Sequence, residues 1–183
     1  AFVVGRTDST DLPGTSGGLL STLPVGGGFV AEFTPTGGLA RATYLGGSGG
    51  RSGANGVALD RVGDVYVTGW TFAADFPLLG ASRSTLRDSP WGPVSTAFVT
   101  KLRPNLAELV YSTFYAQPNV PVDGTVEYVS GEEGSKVAVD SAGNAYVVGL
   151  AVTFHDTTYD EGVFAWVAAL DGTGQPASNV LLD

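Results

Sequence analysis

Two pairs of acidic residues are the first candidates for chemistry in this sequence. They are Asp8 with Asp11, and Glu132 with Glu133. Carboxylates are the hard oxygen ligands that Ca²⁺ prefers, so each pair is a weak candidate for a calcium site. Neither pair follows the D-x-[DN]-x-[DN]-G spacing of a calcium-binding loop. Asp11 and Asp75 each precede an apolar residue and a proline. This repetition favours a structural role for both residues in capping a turn.

The single histidine, His155, is the second candidate. Histidine can act as a metal ligand or as a general base, and acidic residues follow His155 closely. A zinc site generally needs three or four ligands, and one histidine among many serines does not identify a catalytic triad. The glycine-rich residues 46–50 lack the Lys-Ser/Thr ending of a phosphate-binding loop. We therefore predict no enzyme activity and no cofactor, and leave Ca²⁺ open.

A third candidate lies in a long loop predicted over residues 78–96. Trp91 stands there between a proline and a glycine, shortly after Arg87 and Asp88. Long loops on a rigid scaffold commonly carry binding residues, and an exposed tryptophan can stack on a sugar or contact a protein neighbour. We treat Trp91, Arg87 and Asp88 as candidate ligand-binding residues. The alternative is that Trp91 packs over the end of its own sheet.

A repeated hairpin reveals the elements that would position these residues. Residues 57–69 contain two runs of β-branched and aromatic residues around a tight turn, and residues 137–149 repeat the pattern. Each first run ends at an aspartate, whose carboxylate can cap the turn. A glycine follows three residues later, where a positive φ is favourable. The predicted turn residues are Asp60, Gly63, Asp140, Gly143 and Asn144.

Further matches extend this hairpin to a unit of four strands. A third strand recurs at residues 29–33, 98–102 and 166–170, and a fourth at residues 39–45 and 109–115. Short strands joined by tight turns predict an antiparallel meander. A sheet that is apolar on both faces has to stack against similar sheets, and the closed arrangement is a β-propeller. The predicted fold is all-β, with four-stranded antiparallel β-propeller blades that form part of a larger or oligomeric propeller.

The predicted organisation is one propeller segment over residues 1–183. Its units are a partial blade with strands two to four (1–45), a complete blade (54–115) with the insertion 78–96, an inter-blade insertion (116–133) and a third blade (134–183). The chain contains no methionine and begins inside a blade, so we expect a processed chain or part of a longer one. Two blade faces and one sheet edge would then be uncovered. The expected partners are other blades, in the same parent chain or in neighbouring subunits.

The composition excludes several classes of protein. With 27 Gly, 10 Pro and 43% hydrophobic residues, the chain suits many short strands and is too apolar for a disordered segment. A net charge of −9 argues against binding to nucleic acid, which requires clustered Lys and Arg. No apolar run approaches the roughly 20 residues of a membrane span, so direct membrane insertion is not expected.

The sequence resembles a known family of repeats. Residues 69–77 read Gly-Trp-Thr-Phe-Ala-Ala-Asp-Phe-Pro, and residues 5–13 are their counterpart. Both resemble the "YVTG-T-S-DFP" segment of SBBP repeats, which occur in bacterial seven-bladed β-propellers. The other matching segments are residues 44–49, 97–102 and 138–147. The third unit departs from the pattern, since residues 150–158 lack the Asp-Phe-Pro ending.

This resemblance implies a secreted or surface-displayed bacterial protein with an adhesive or scaffolding role, and it carries no catalytic residues. We therefore expect a non-catalytic extracellular or cell-surface module with a structural, adhesive or protein-interaction role. A surface protein or a glycan is a further possible partner. The alternative is a carbohydrate-binding or carbohydrate-active propeller, with a dependence on Ca²⁺ left open. A cleft that holds Trp91 beside a pair of carboxylates would favour this alternative.

Overall fold

The structure is a computed structural model that describes residues 1–87, 89, 92–117, 121–122, 125–155 and 161–182. Within these ranges the chain forms twelve β-strands. The strands are β1 (Phe2–Thr7), β2 (Gly27–Phe33), β3 (Leu39–Leu45), β4 (Ser52–Leu59), β5 (Val65–Thr71), β6 (Thr96–Leu102), β7 (Leu109–Tyr115), β8 (Pro121–Val122), β9 (Thr125–Val139), β10 (Ala145–His155), β11 (Glu161–Leu170) and β12 (Pro176–Leu182). Over the described ranges, the chain has no helix with the length and apolar character needed to span a membrane.

The strands form three antiparallel sheets, in each of which neighbours along the chain are neighbours in space. Blade 1 has the order β1-β2-β3, blade 2 the order β4-β5-β6-β7, and blade 3 the order β8-β9-β10-β11-β12. Tight turns and alternating apolar residues favour this meander over crossover connections. The prediction of an all-β chain of antiparallel meanders is therefore confirmed.

The core consists of two layers of apolar side chains between successive blades. Val30 and Leu45 of blade 1 pack with Val67 and Phe98 of blade 2 in the first layer. The second layer lies between blades 2 and 3, where the ring centroids of Tyr115 and Trp166 are 4.7 Å apart. Burial of a large apolar side chain contributes about 1.5–3 kcal/mol, so the contacts between blades dominate the stability of the array.

The innermost strands of blades 2 and 3 approach each other closely at Gly56. A Cβ atom at this position would lie 2.9 Å from the Cα atom of Lys136 on β9. The atoms that a Cβ would meet belong to the main chain of β9, which cannot move aside as the end of a flexible side chain can. The close packing of β4 against β9 therefore requires glycine at position 56.

Blade 3 has longer strands than the sequence predicts. β9 begins at Thr125, inside the segment 116–133 that was expected to be an insertion, and it runs for 15 residues. β10 continues to His155 through the region where blade 2 has its Asp-Phe-Pro loop. The register between β9 and β10 shifts at two places, after Val148 and after Val152. Extra residues in one strand of a pair are typical of β-bulges.

Asp75 fastens the turn that connects blade 1 to blade 2. This turn, residues 46–50, lies between β3 and β4. One carboxylate oxygen of Asp75, Oδ2, accepts hydrogen bonds from the amide of Ser48 (2.8 Å) and from its hydroxyl (2.6 Å). The other, Oδ1, accepts from the amide of Gly49 at 3.0 Å. These bonds, above all the one from the Ser48 hydroxyl, lower the pKa of Asp75 to about 2.

Replacement of Asp75 tests this fastening. Asp75→Asn should lower the free energy of unfolding at neutral pH by about 1 kcal/mol, because charge-assisted bonds are lost from a partly exposed group. The folded-state pKa lies below the ordinary 3.8, so this contribution is present above about pH 4 and is lost as the pH falls through about 2. Urea unfolding of both proteins across this range measures the difference. Asp8→Asn is the control, and an equal effect of the two variants would contradict the fastening.

Candidate functional site

The predicted turns place their aspartates as caps. Asp60 Oδ1 accepts a hydrogen bond from the amide of Asp64, and Asp140 Oδ1 accepts one from the amide of Asn144, both at 2.9 Å. Gly63 has a φ of 88°, and its counterpart Gly143 has a φ of 84°. Because all these contacts lie within a few residues of sequence, the local pattern was sufficient to locate them.

Lys101 on β6 lies among carboxylates at the same end of blade 2. Its Nζ atom is 3.1 Å from Asp60 Oδ2 and 3.2 Å from Asp64 Oδ2, and the three side chains are each less than one-tenth exposed. The ammonium also lies 4.7 Å from the centroid of the Tyr66 ring. Burial alone would lower the pKa of Lys101, but the contacts with Tyr66 and the two carboxylates outweigh it and raise that pKa. We call Asp60, Asp64, Tyr66 and Lys101 the turn cluster.

The turn cluster also connects blade 2 to blade 3. The hydroxyl of Tyr66 lies 3.0 Å from the carbonyl oxygen of Gly143, in the corresponding turn of blade 3, and donates a hydrogen bond to it. Sequence reasoning missed this cluster, although a signal was present. The residues of blade 3 that correspond to Lys101 and Asp64 are Ala169 and Asn144, so both charges are absent there together.

The structure brings together Arg87 and Glu132, which the sequence assigned to two different kinds of site. Arg87 Nε lies 3.0 Å from Glu132 Oε2, and its terminal Nη2 lies 3.2 Å from Oε1. The amide of Gln117 donates to Glu132 Oε1 at 2.6 Å, and Arg87 donates to the carbonyl oxygen of Gln117. We call these three residues the clamp, because they join the loop of blade 2, the end of β7 and strand β9.

Both charges of the clamp are withdrawn from solvent. The side chain of Arg87 is 6% exposed and that of Glu132 is 1% exposed. Burial raises the pKa of Glu132, although Arg87 opposes the rise. A bidentate pair of this kind holds two segments in a fixed geometry. The guanidinium of Arg87 therefore faces the contact between blades 2 and 3.

Two open grooves flank the clamp. One has a volume of about 540 Å³ and is lined mainly by the loop of blade 2; the other has a volume of about 510 Å³ and lies against blade 3. Ser95, Ser130 and Glu133 line the second groove together with the apolar residues Leu150 and Val163. Glu133 thus lies in the second groove, and its neighbour Glu132, which belongs to the clamp, lines the same groove.

The other predicted site residues are not brought together. Asp8 forms an ion pair with Arg6 at 2.7 Å, and Asp11 accepts a hydrogen bond from the hydroxyl of Ser9. Within the described ranges, no group of three or more His, Asp or Glu side chains could hold a metal ion. His155 ends strand β10. Asp88, Trp91 and residues 156–160 lie outside the described residues, so the carbohydrate-binding alternative stays a prediction.

One face of blade 3 exposes apolar side chains of β10 and β11, and Lys136 and Glu133, the partners of Val148 and Leu150 on β9, border them. Tyr146 and Val148 on β10 are each 44% exposed, and Val163 on β11 is 65% exposed. At the positions of Tyr146 and Val148, blade 2 has Tyr66 and Thr68, which are fully buried against blade 3. We call the surface formed by Tyr146, Val148, Leu150, Val163 and Ala165 the open face. It is the surface of blade 3 that corresponds to the covered surface of blade 2.

The three stacked meanders with apolar faces define blades of the β-propeller type. Residues 41–77 match the sequence model of the SBBP family, described as a β-propeller repeat. The matched segment runs from β3 through β4 and β5 to the loop of Asp75. The match confirms the resemblance to SBBP repeats and supports the assignment to propeller blades. No curated protein matches the chain.

The clamp can be tested by removing one charge and then both. Arg87→Met should lower the free energy of unfolding by about 3–5 kcal/mol, because it leaves the carboxylate of Glu132 buried without a counter-charge. Adding Glu132→Gln should recover part of this loss, since the remaining amide carries no charge. Urea unfolding of the single and double variants measures both effects, with the exposed Arg61→Met as the control. A double variant no more stable than the single variant would refute the pairing.

The turn cluster can be tested with variants that carry the residues found at the equivalent positions of blade 3. Lys101→Ala should destabilise the fold by about 3 kcal/mol, because Asp60 and Asp64 are left near each other with the half-exposed Arg103, 3.3 Å from Asp64, as their remaining counter-charge among the described residues. Adding Asp64→Asn reproduces the residues of blade 3 and should restore part of the stability. Thermal unfolding compares the variants, and Lys136→Ala, at an exposed position, is the control. Equal losses in the single and double variants would contradict this electrostatic account.

Proposed function

We propose that the protein is a non-catalytic interaction module in which the open face of blade 3 docks against a further blade. The observation that carries this proposal is the pair Tyr66 and Tyr146. The two residues occupy the same position in successive blades, yet the first is fully buried and the second is 44% exposed. Contiguous apolar surface of this kind marks interaction sites in soluble proteins.

The two covered faces indicate the chemistry of the partner. Blade 2 covers blade 1 with Val67, Phe98 and Leu102, and blade 3 covers blade 2 with the corresponding residues Val147, Trp166 and Leu170. Each covering face thus combines an aromatic ring from the third strand with aliphatic side chains on either side. A partner for the open face is a flat sheet with this combination.

Blade 1 carries such a covering face. Val3, which corresponds to Val67, is 47% exposed, and Phe29 and Phe33 are half-buried. The covering blade can therefore come from the same parent chain or from a neighbouring subunit. In either case the contact is head-to-tail, between two different faces.

The resemblance to SBBP repeats supports a secreted or cell-surface location for this module, with a structural or adhesive role. The net charge of −9 suits a soluble module that avoids nucleic acid. Within the clamp, Arg87 is paired with Glu132, and within the turn cluster, Lys101 is paired with Asp60 and Asp64. This internal pairing of the buried charges supports a role in packing and not in catalysis.

The chain itself supplies both faces for a test. Sedimentation velocity at about 100 µM should show concentration-dependent association of the wild-type chain, because an interface of standard size is populated there. Val148→Lys on the open face and Val3→Lys on blade 1 should each weaken association at least tenfold, since each buries a charge in an apolar contact. Val62→Lys is the matched control, because Val62 is an exposed valine in a turn. A wild-type chain that stays monomeric, or three variants that behave alike, would overturn the proposal.

A further inference from the structure

The outermost strands of blades 1 and 2 are covered by loop segments of their own blades. Strands β3 and β7 each end a sheet, so one row of their main-chain amides and carbonyls faces away from that sheet. Residues 14–20, from the connection between β1 and β2, lie along β3, and residues 79–83, from the connection between β5 and β6, lie along β7. We call these two segments strap 1 and strap 2.

Strap 2 bonds to the main chain of β7 at two points. Leu79 and Ser112 exchange both main-chain hydrogen bonds, at 3.1 and 2.9 Å. Further along, the carbonyl oxygen of Arg83 accepts a hydrogen bond from the amide of Phe114 at 3.1 Å. The amide of Arg83 donates in turn to the hydroxyl of Thr113 at 3.0 Å. Two successive outward-facing amides of β7 therefore have partners within their own blade.

Strap 1 bonds to β3 at the corresponding points, although the sequences of the two straps differ. The amide of Ala42 donates to the carbonyl oxygen of Gly14 at 2.7 Å, and the amide of Tyr44 donates to that of Leu20 at 3.1 Å. The amide of Leu20 also donates to the hydroxyl of Thr43 at 3.0 Å. The residues of β3 that take part have the same register in their sheet as those of β7.

A buried threonine marks the contact in both strands. Thr43 and Thr113 occupy the same position of β3 and β7, each opposite a valine of the preceding strand. In blade 3 the residue at this position is Val180, and only residues 156–160 separate β10 from β11 in the sequence. Threonine is thus present in the two blades with a long insertion, and valine replaces it in the blade with a short connection.

The straps do not create a new edge in place of the one that they cover. Gly17 in strap 1 has a φ of 86°, and Gly80 in strap 2 has a φ of 58°, in each case between the two points of contact with the strand. A strand does not continue through a positive φ, so the outer side of a strap lacks the regular spacing that a further strand requires.

Strand β7 has the greater need of such a cover. Its sequence over residues 109–115, Leu-Val-Tyr-Ser-Thr-Phe-Tyr, contains no charged residue, no glycine and no proline. Segments of six or seven residues with this composition pair readily between chains when their edges are open. A charge or a proline in the strand itself is a common protection against such pairing, and β7 has neither.

We propose that the two straps protect the outer edges of blades 1 and 2 from pairing with the outer edge of a second copy of the chain. Each strap is tethered beside its strand, so it occupies the edge intramolecularly and a second chain has to displace it. The protected edges lie on the sides of the sheets and not on their faces. This inference is therefore independent of docking at the open face of blade 3.

Removal of one hydroxyl group should loosen strap 2. Thr113→Val keeps the shape of the side chain but leaves the amide of Arg83 without its acceptor. Hydrogen exchange should then become about tenfold faster at the amides of Ser112 and Phe114, which face the strap. The amide of Thr113 faces β6 and should keep its protection. Thr10→Val, at an exposed loop position, is the matched control and should leave all these amides unchanged.

Loosening of the strap should also promote association through β7. The experiment uses a chain that carries Val148→Lys, so that the open face does not contribute. In this chain Thr113→Val should strengthen self-association about tenfold relative to Thr10→Val, because the apparent affinity follows the fraction of open edges. Sedimentation velocity measures the association. The protection of the Ser112 and Phe114 amides should then rise with protein concentration, which places the contact at this edge.

A change in the strap itself separates its release from a defect in β7. Arg83→Pro removes the amide that bonds to Thr113 and leaves β7 unaltered, so it should reproduce both effects of Thr113→Val. The proposal is overturned if the two loosened variants associate no more strongly than the Thr10→Val control. It is equally overturned if they associate while exchange at Ser112 and Phe114 does not depend on protein concentration.

Discussion

The structure depends on the packing of one blade face against the next. Each described contact between blades buries aromatic and β-branched side chains from both sheets, with Phe98 in the first layer and Trp166 in the second. A meander of three or four short strands has too little core of its own, so its stability comes from this layer. The close approach at Gly56 follows from the same constraint, because the innermost strands converge where the faces meet.

Hydrogen bonds and charges at the rims then fix how the faces meet. Asp75 fastens the turn between blades 1 and 2, and the hydroxyl of Tyr66 reaches the turn of blade 3 at Gly143. The clamp adds a buried ion pair on the loop side of the contact between blades 2 and 3. Apolar packing is not directional, so these polar contacts supply the register that it lacks.

The sequence predicted what is local or repeated. The cap of Asp60 on its own turn lies within four residues, and the four-stranded unit occurs more than once, so both were visible in the pattern. The clamp could not be predicted, because Arg87 and Glu132 are 45 residues apart and blade 1 offers no counterpart of it. The length of β9 was missed for a similar reason, since residues 125–133 become a strand only through pairing with the extended β10.

The tyrosine at the rim also determines how a further blade can approach the open face. The hydroxyls of Tyr66 and Tyr146 both lie near the aspartate of their own turn, at 3.3 Å from Asp60 Oδ2 and 3.2 Å from Asp140 Oδ2. Tyr66 also reaches the turn of the covering blade, where the carbonyl oxygen of Gly143 is 3.0 Å away. If two open faces met by a twofold axis, each would meet a copy of itself and not the kind of face that covers blade 2. A covering blade with a glycine turn at the position of Gly143 supplies that acceptor. The hydrogen bond and the apolar face therefore both favour head-to-tail contact over symmetric pairing.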